Sequence, residues 1–371
     1  MFRSASSLLF ALLSLVSISS GQATHPPLRV GIVGLVHGHV HGFLGQSRHS
    51  PEIEIVGVAE PDRQLLIQAG TRYGFDPAIL FTDLEEMLAK AHPQAVLVYT
   101  NTFDHRRVVE ICARHGVHVM MEKPLAVSFE DAQAIQKAAH TGNIHVLVNY
   151  ETSWYASNHS AYDLVHTGAL GDVRKVVVHD GHNGPKEINV EPEFLAWLTD
   201  PKLDGGGALF DFGCYGADLM TWLMDGQRPE TVTAVTQQIK PQIYAHVDDE
   251  ATIILTYPHA QAILQASWNW PFGRKDMEVY GQTGYAITVQ NAHNNNLRVR
   301  RPGQENEEQV EAKAVPAPYD NSLSYLRAVV IDGAKEDGLS SLDTNVTVTE
   351  ILDAARRSAA SGKTIQLSSS R

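Results

Sequence analysis

Short apolar runs rich in β-branched residues recur through the first 150 residues: LRVGIVG (28–34), EIEIVGVAE (52–60), QAVLVYT (94–100), VHVMME (117–122) and IHVLVNY (144–150). Between them, apolar positions follow helical spacing in RQLLIQAGTRYG (63–74), DLEEMLAKA (83–91), HRRVVEICARHG (105–116) and FEDAQAIQKAAHTG (129–142), the last closing on Gly142 as a helix stop. Strands that alternate with helices must be joined by right-handed crossovers, so this half is expected to form a parallel, doubly wound sheet.

Beyond Tyr150 the pattern changes. Helix-like HSAYDLVHTG (159–168) leads into VRKVVVHDG (173–181), and the strand-like runs ETVTAVTQQI, ATIILTYP, AQAILQASW and AITVQ follow with short turns between them. Strands without intervening helices predict an antiparallel or mixed sheet, placed over the crevice at the carboxyl ends of the first one. The tail VTEILDAARRSAASGKTIQL (347–367) reads as a helix, a glycine stop and a final strand-like piece. The expected division is therefore a nucleotide-binding domain over 24–148 and a second α/β domain over 149–371.

Composition narrows the partners. The chain has 371 residues, 43% hydrophobic and 19% charged, with a formal net charge of −13. That excess of acid, without a cluster of Lys and Arg to override it, argues against nucleic acid and anionic membrane surfaces and leaves small neutral molecules as ligands. Residues 1–23 join an early Arg3 to an apolar run and end in small residues, the pattern of a Sec-type export signal with the mature chain starting near Thr24. The apolar stretch is about half the roughly 20 residues needed to span a bilayer. Cys112 and Cys214 lie far apart with nothing in their spacing to favour a bridge, so buried free thiols are expected.

Candidate chemistry begins at GLVHGHVHGF (34–43). A dinucleotide fingerprint G-x-G-x-x-G would stand at 34, 36 and 39, where this chain has Gly34, Val36 and His39. The tight-turn glycine is kept, and a β-branched residue takes the place where backbone normally approaches a pyrophosphate. Glu60, ending the second strand, is placed to bond ribose hydroxyls and to favour NAD, although Arg63 nearby leaves NADP open and a solvated loop carboxylate is the plain alternative. His37, His39 and His41 stand at alternate positions; no Cys or acid within the run completes a metal site, so no metal is expected. Contacts of His37 or His39 to phosphate or nicotinamide, and capping or packing, remain as readings.

Two further stretches carry chemistry. Glu122-Lys123-Pro124 puts a cation at the carboxyl end of a strand, where open α/β sheets bind ligands. In DGGGALFDFGCYGADLMTWL (204–223), Asp211, Tyr215 and Asp218 are spaced to share one helix face, a carboxylate and a phenol one turn apart.

EKPLAVS, TNTFDH (100–105) and GGGALFDFGCYGADL together resemble the Gfo/Idh/MocA oxidoreductases, and the resemblance extends to the closing AARRSAASGKTIQL. It implies a Rossmann domain followed by an α/β domain built on an open, mostly antiparallel sheet. By the same resemblance Lys123 is the lysine beside nicotinamide and substrate hydroxyl, Glu122 its neighbour at the cofactor, and Thr100 and His105 the cofactor-side loop. Asp211 and Tyr215 match a D-x-x-x-H pair with Tyr for His, as in the glucose-fructose oxidoreductase and dihydrodiol dehydrogenase branch, where that tyrosine handles the proton. Asn149, Tyr150 and Asp218 are expected at the substrate; Tyr150-Glu151 replaces the arginine that many members have there.

The reading that results is an exported NAD-dependent oxidoreductase acting at a carbinol carbon of a sugar or polyol. Tyr215 would pass the hydroxyl proton, Lys123 would lower its pKa, and Asp211 would bond a neighbouring hydroxyl. Trp154, Trp197, Trp268 and Trp270 are candidate stacking platforms for a sugar ring. Export also suggests a glycosidase that recycles its NAD within one catalytic cycle, and Val36 with the histidines suggests a non-catalytic sugar- or metal-binding relative. An open sheet face points to a homo-oligomer.

Overall fold

The computed structural model describes residues 26–291 and 294–367; the expected export signal lies outside them. Six strands, β1 (Leu28–Val33), β2 (Ile53–Ala59), β3 (Leu80–Phe81), β4 (Ala95–Val98), β5 (His118–Glu122) and β6 (Val146–Asn149), form a parallel sheet in the order β3-β2-β1-β4-β5-β6. The order reverses between β1 and β4, and a ligand crevice opens beyond strand ends at such a reversal. The apolar runs are continuous because helices cover both faces of a parallel sheet; all four residues of β4 are buried.

Local signals set the helix ends. Asp62 accepts hydrogen bonds from the amides of Gln64 and Leu65 to start helix Arg63–Tyr73, and Gly74 closes it in the left-handed region at φ 72°. Gly142 is not the stop expected of it. It is the last residue of helix Phe129–Gly142, and Asn143 makes the left-handed turn at φ 49°. Its lack of a side chain serves packing, since a Cβ there would lie 2.6 Å from the carbonyl oxygen of Ala113 in the neighbouring helix His105–His115.

The second sheet has nine strands: β7 (Val173–Gly181), β8 (Thr231–Gln237), β9 (Glu250–Thr256), β10 (Gln261–Ser267), β11 (Arg274–Gly281), β12 (Tyr285–Asn291), β13 (Asn294–Arg300), β14 (Glu308–Glu311) and β15 (Ile365–Gln366). Their order is β14-β13-β12-β11-β7-β10-β9-β8-β15. β7 pairs with β10 in parallel and every other pair is antiparallel, so the sheet is mixed. Three of these strands, β11, β13 and β14, went unread because their outward positions are charged or amide residues that hide the apolar alternation. Helices Gly213–Leu223 and Leu342–Ser361 cover one face of this sheet. The chain then folds back: Leu323, Tyr325, Leu326 and Val329 pack with Leu28, Val30 and Ile32 of β1 in one apolar cluster.

Candidate active site

At the end of β1 the backbone turns at Gly34 with φ 83°, and a Cβ there would stand 2.7 Å from the Thr100 amide nitrogen, so this turn needs glycine. The loop departs from the glycine-rich pattern at Val36 and His39. Val36 packs its side chain against the large apolar cluster that includes Phe194 and Trp197, and its carbonyl oxygen accepts the indole N–H of Trp197 at 3.1 Å. His37 is buried under the same helix, Pro192–Leu198, with ring centroids 4.5 Å from Phe194 and 5.5 Å from Trp197. Burial, helped by the nearby His39, Lys123 and His105, pushes the His37 imidazole well below its ordinary value, so it is neutral.

The three histidines part company. His39 Nδ1 lies 2.9 Å from Glu122 Oε2, while His41 Nδ1, on the helix His39–Gln46, meets the Tyr73 hydroxyl at 2.9 Å. His37, His39 and Glu122 could geometrically hold a metal ion, the acid coming from β5, which no local sequence pattern reveals.

Glu60 follows β2 with its carboxylate turned into the loop. Its two oxygens accept the Leu35 amide at 2.7 Å and the Asp62 amide at 2.8 Å, and burial raises its pKa against the pull of those amides. A carboxylate oxygen carries two acceptor sites, so both remain able to receive a ribose hydroxyl. Thr100 is buried beside Gly34, its hydroxyl on the Asn101 carbonyl. His105 holds the Pro124 and Leu125 carbonyls through Nδ1, at 3.1 and 3.2 Å, and its buried Nε2 has no protein partner. Burial drives its pKa down to about 4.

Lys123, next along from β5, is 6% exposed and its Nζ sits 2.5 Å from Asp211 Oδ1 and 3.0 Å from the Asp211 carbonyl oxygen. The other Asp211 oxygen accepts the Trp268 indole N–H at 2.9 Å. Burial alone would push the ammonium down and the carboxyl up; facing each other, they end up with Lys123 above and Asp211 below their ordinary values. The Asp211 carboxylate is thus fixed from both sides, by Lys123 and by Trp268. Trp268 is buried and is no stacking platform.

Tyr215 shares this centre, with Lys123 Nζ 5.2 Å from its ring centroid. It does not lie on the same continuous helix as Asp211, because the chain breaks at Phe212 between helices Ala208–Asp211 and Gly213–Leu223. Nor is Lys123 the cation nearest its oxygen. That is Lys275 of β11, whose Nζ is 3.4 Å from Tyr215 Oη and 4.5 Å from the ring centroid. Lys275 also pairs with Glu151 Oε2 at 2.5 Å and lies in register with the buried Asp180 of β7. Burial holds the Tyr215 phenol well above its ordinary value, and Lys275 opposes that rise.

The remaining residues line up behind these. Asn149 donates to Glu122 Oε1 at 3.1 Å and accepts the Trp154 indole N–H at 3.0 Å. Tyr150 is buried, edge-on to Tyr215 with ring centroids 5.4 Å apart, and Asp218 is buried with both carboxylate oxygens lacking a protein partner. Desolvation keeps the Asp218 carboxyl well above its ordinary range, hence protonated.

The site thus joins a glycine turn at a parallel-sheet reversal to a lysine, an aspartate and a tyrosine contributed by the second half. The description "Oxidoreductase family, NAD-binding Rossmann fold" matches residues 28–150, and the Gfo/Idh/MocA C-terminal domain matches residues 158–287. The chain belongs to the Gfo/Idh/MocA oxidoreductase family. It is 26% identical over 281 residues to a trans-1,2-dihydrobenzene-1,2-diol dehydrogenase of Xenopus tropicalis, covering 73% of this chain and 80% of that protein. Among solved structures it resembles an aldose-aldose oxidoreductase from Caulobacter crescentus complexed with glycerol, with a TM-score of 0.78 and 23% identity over 92% of this chain and 100% of that one. An inositol dehydrogenase homolog from Azotobacter vinelandii complexed with NAD+ also has a TM-score of 0.78, at 20% identity, covering 92% of this chain and 98% of that one.

As a Gfo/Idh/MocA oxidoreductase the protein takes NAD, and its residues fit that cofactor. The Gly34 turn, the two-acceptor Glu60 and the unpartnered His105 Nε2 lie in the connections that follow β1, β2 and β4, the sheet's ligand-facing edge. Lys275, Asp180 and the role of Glu151 were missed from sequence. The one available signal was the alternation Lys275, Met277, Val279, which places a lysine on the inward face of a strand.

Proposed function

We propose that this oxidoreductase is exported and moves a hydride between NAD and a carbinol carbon of a sugar or polyol. The carrying observation is the meeting of Lys123 and the buried Tyr215, with Lys123 Nζ 5.2 Å from the phenol ring at the carboxyl end of β5. Gly34, Glu60, Thr100, His105, Glu122 and His39 would hold the dinucleotide, whose nicotinamide supplies the two-electron acceptor or donor. Lys123, fixed by Asp211, presents a permanent positive charge to the substrate oxygen and stabilises the alkoxide character that develops there. Tyr215 exchanges the hydroxyl proton, and the buried surroundings keep water from competing for it. The sugar or polyol class accords with the glycerol and the myo-inositol bound in two of the structural relatives.

The experiment is a native mass measurement for bound or titrated NAD, followed by nicotinamide absorbance with a panel of aldoses and polyols. Tyr215→Phe should keep NAD binding and lose about 10²–10⁴ in kcat. Absence of any NAD uptake, or a Tyr215→Phe enzyme with full activity, overturns the reading. Export is supported by residues 1–23 and is checked by a mature N-terminus near Thr24. The second sheet's uncovered face carries Val177, Ile263 and Ile254 side by side on β7, β10 and β9, which supports a homo-oligomer; sedimentation as a monomer would refute it.

A further inference from the structure

We infer that Lys275 and Glu151 form the path by which the reaction's proton passes between Tyr215 and solvent. Lys275 is then a positioning residue acting through the phenol, and Glu151 the outlet. The inference rests on Tyr215 being the acid–base group of the oxidoreductase reading.

Tyr215 is 2% exposed, so a proton delivered to its oxygen has no direct exit to bulk water. Lys123 offers none: its Nζ is held by two oxygens of Asp211, whose remaining oxygen is bonded to the buried Trp268. On the other side, Lys275 Nζ lies 3.4 Å from Tyr215 Oη and 2.5 Å from Glu151 Oε2. Side-chain exposure rises along this line to 22% at Lys275 and 55% at Glu151. Three titratable groups therefore lead from a closed phenol to water in successive short steps.

The charges facing each member agree with this. Tyr215 sees Lys275 and Lys123 as cations, and Cys214, Glu151 and Asp211 as groups that resist its ionisation. Lys275 sees the phenol, Glu151 and Asp180. Glu151 is held in its charged form against burial by Lys275, by Tyr155 and by His39. Asp180, buried on β7 with both oxygens lacking a hydrogen-bond partner, is pushed well above its ordinary value by burial and lies in register beside Lys275.

In the direction of alcohol oxidation the substrate's O–H bond breaks while its carbinol C–H pair departs as hydride to the nicotinamide. The proton joins the Tyr215 oxygen as Tyr215 gives its own to Lys275 and Lys275 gives one of its three to the Glu151 carboxylate, and Glu151 releases it to water. This restores a phenol facing an ammonium, and reduction runs the same steps backwards.

The test needs no substrate. A difluorotyrosine placed at position 215, with a more acidic phenol, reports its ionisation and its exchange rate by 19F resonance in the full-length protein. Lys275→Met should weaken that ionisation at least tenfold and Lys275→Arg should recover most of it. Glu151→Gln should slow exchange between the two forms, with recovery on adding imidazole. A titration midpoint unchanged in Lys275→Met, or an exchange rate unchanged in Glu151→Gln, overturns the path. Should Lys275→Met not fold, Lys275→Arg and Glu151→Gln still decide it: with no difference from wild type in the Glu151→Gln exchange rate, the path is wrong. Failure of the redox reading would show separately, as absence of NAD-linked turnover with every aldose and polyol.

Discussion

The pair formed by Lys123 and Asp211 is the sharpest place to press on the structure. Asp211→Asn keeps the side chain's size and removes its charge, leaving the Lys123 ammonium, 6% exposed, with only the Asp211 carbonyl oxygen at 3.0 Å as a hydrogen-bond acceptor. At the 2.5 Å separation of the pair, Coulomb's law with an effective dielectric of about 20 gives a gross attraction of roughly 7 kcal/mol. Desolvation of both ions offsets much of that, so the pair's net worth is small, but removing one partner strands the other and costs about 3–5 kcal/mol. At roughly 2 °C per kcal/mol for a large chain, Tm should fall by about 6–10 °C in Asp211→Asn and comparably in Lys123→Met. The double variant Lys123→Met with Asp211→Leu should regain most of the loss, because no charge is left buried alone. pH adds an independent check. Asp211 is held below its unfolded value near 4, so its contribution is present above about pH 4 and is lost as pH falls through the folded value. Lys123 is held above its unfolded value near 10.4, so its contribution is present below about pH 10 and is lost as pH rises through the folded value. Scanning calorimetry of the four proteins across pH measures both effects. Single variants within about 1 °C of wild type, or a double variant whose loss equals the sum of the singles, would refute the argument.

Two other perturbations test the frame around the pair. Gly34→Ala should cost at least about 1 kcal/mol for the left-handed backbone alone, with a further loss from the collision 2.7 Å away at the Thr100 amide, and should weaken NAD binding on titration. Gly226→Ala is its control, since Gly226 has φ 79° but open space around its Cβ position. His105 is buried with its pKa near 4 against about 6.5 unfolded, so protonation favours the unfolded chain. Stability is therefore full above about pH 6.5 and falls by about 2–3 kcal/mol between there and pH 4.5, which urea unfolding at pH 7 and 4.5 would measure. His105→Asn should remove that part of the slope; an unchanged slope means the imidazole is not desolvated as the structure has it.

The first half of the fold was legible because its signals are local. Strands such as β4 are buried on both faces and so read as unbroken apolar runs, whereas the two-residue edge strand β3 is too short to show a pattern, and helix ends such as Asp62 and Gly74 carry capping chemistry in one or two residues. Where a signal had two readings, the neighbours decided. Gly142 looks like a helix stop, yet the constraint on it is the Ala113 backbone of another helix, and Asn143 does the stopping. Asp211, Tyr215 and Asp218 have the spacing of one helix face, yet Phe212 interrupts the helix, and only the first two join Lys123 while Asp218 is buried uncharged behind them.

By itself, then, the amino-acid sequence determined the parallel sheet, the glycine turn and the presence of Lys123, Asp211 and Tyr215 as the chemical groups. These follow from periodicity and from motifs a few residues long. Tertiary structure decided what each group faces. Asp211 pairs with a lysine 88 positions away and with Trp268, 57 positions away, and Tyr215 meets Lys275, 60 positions away on a strand whose charged outward face concealed it. The energy of a charge or a phenol depends on the few ångströms around it, and those ångströms are filled by residues that no local pattern brings together.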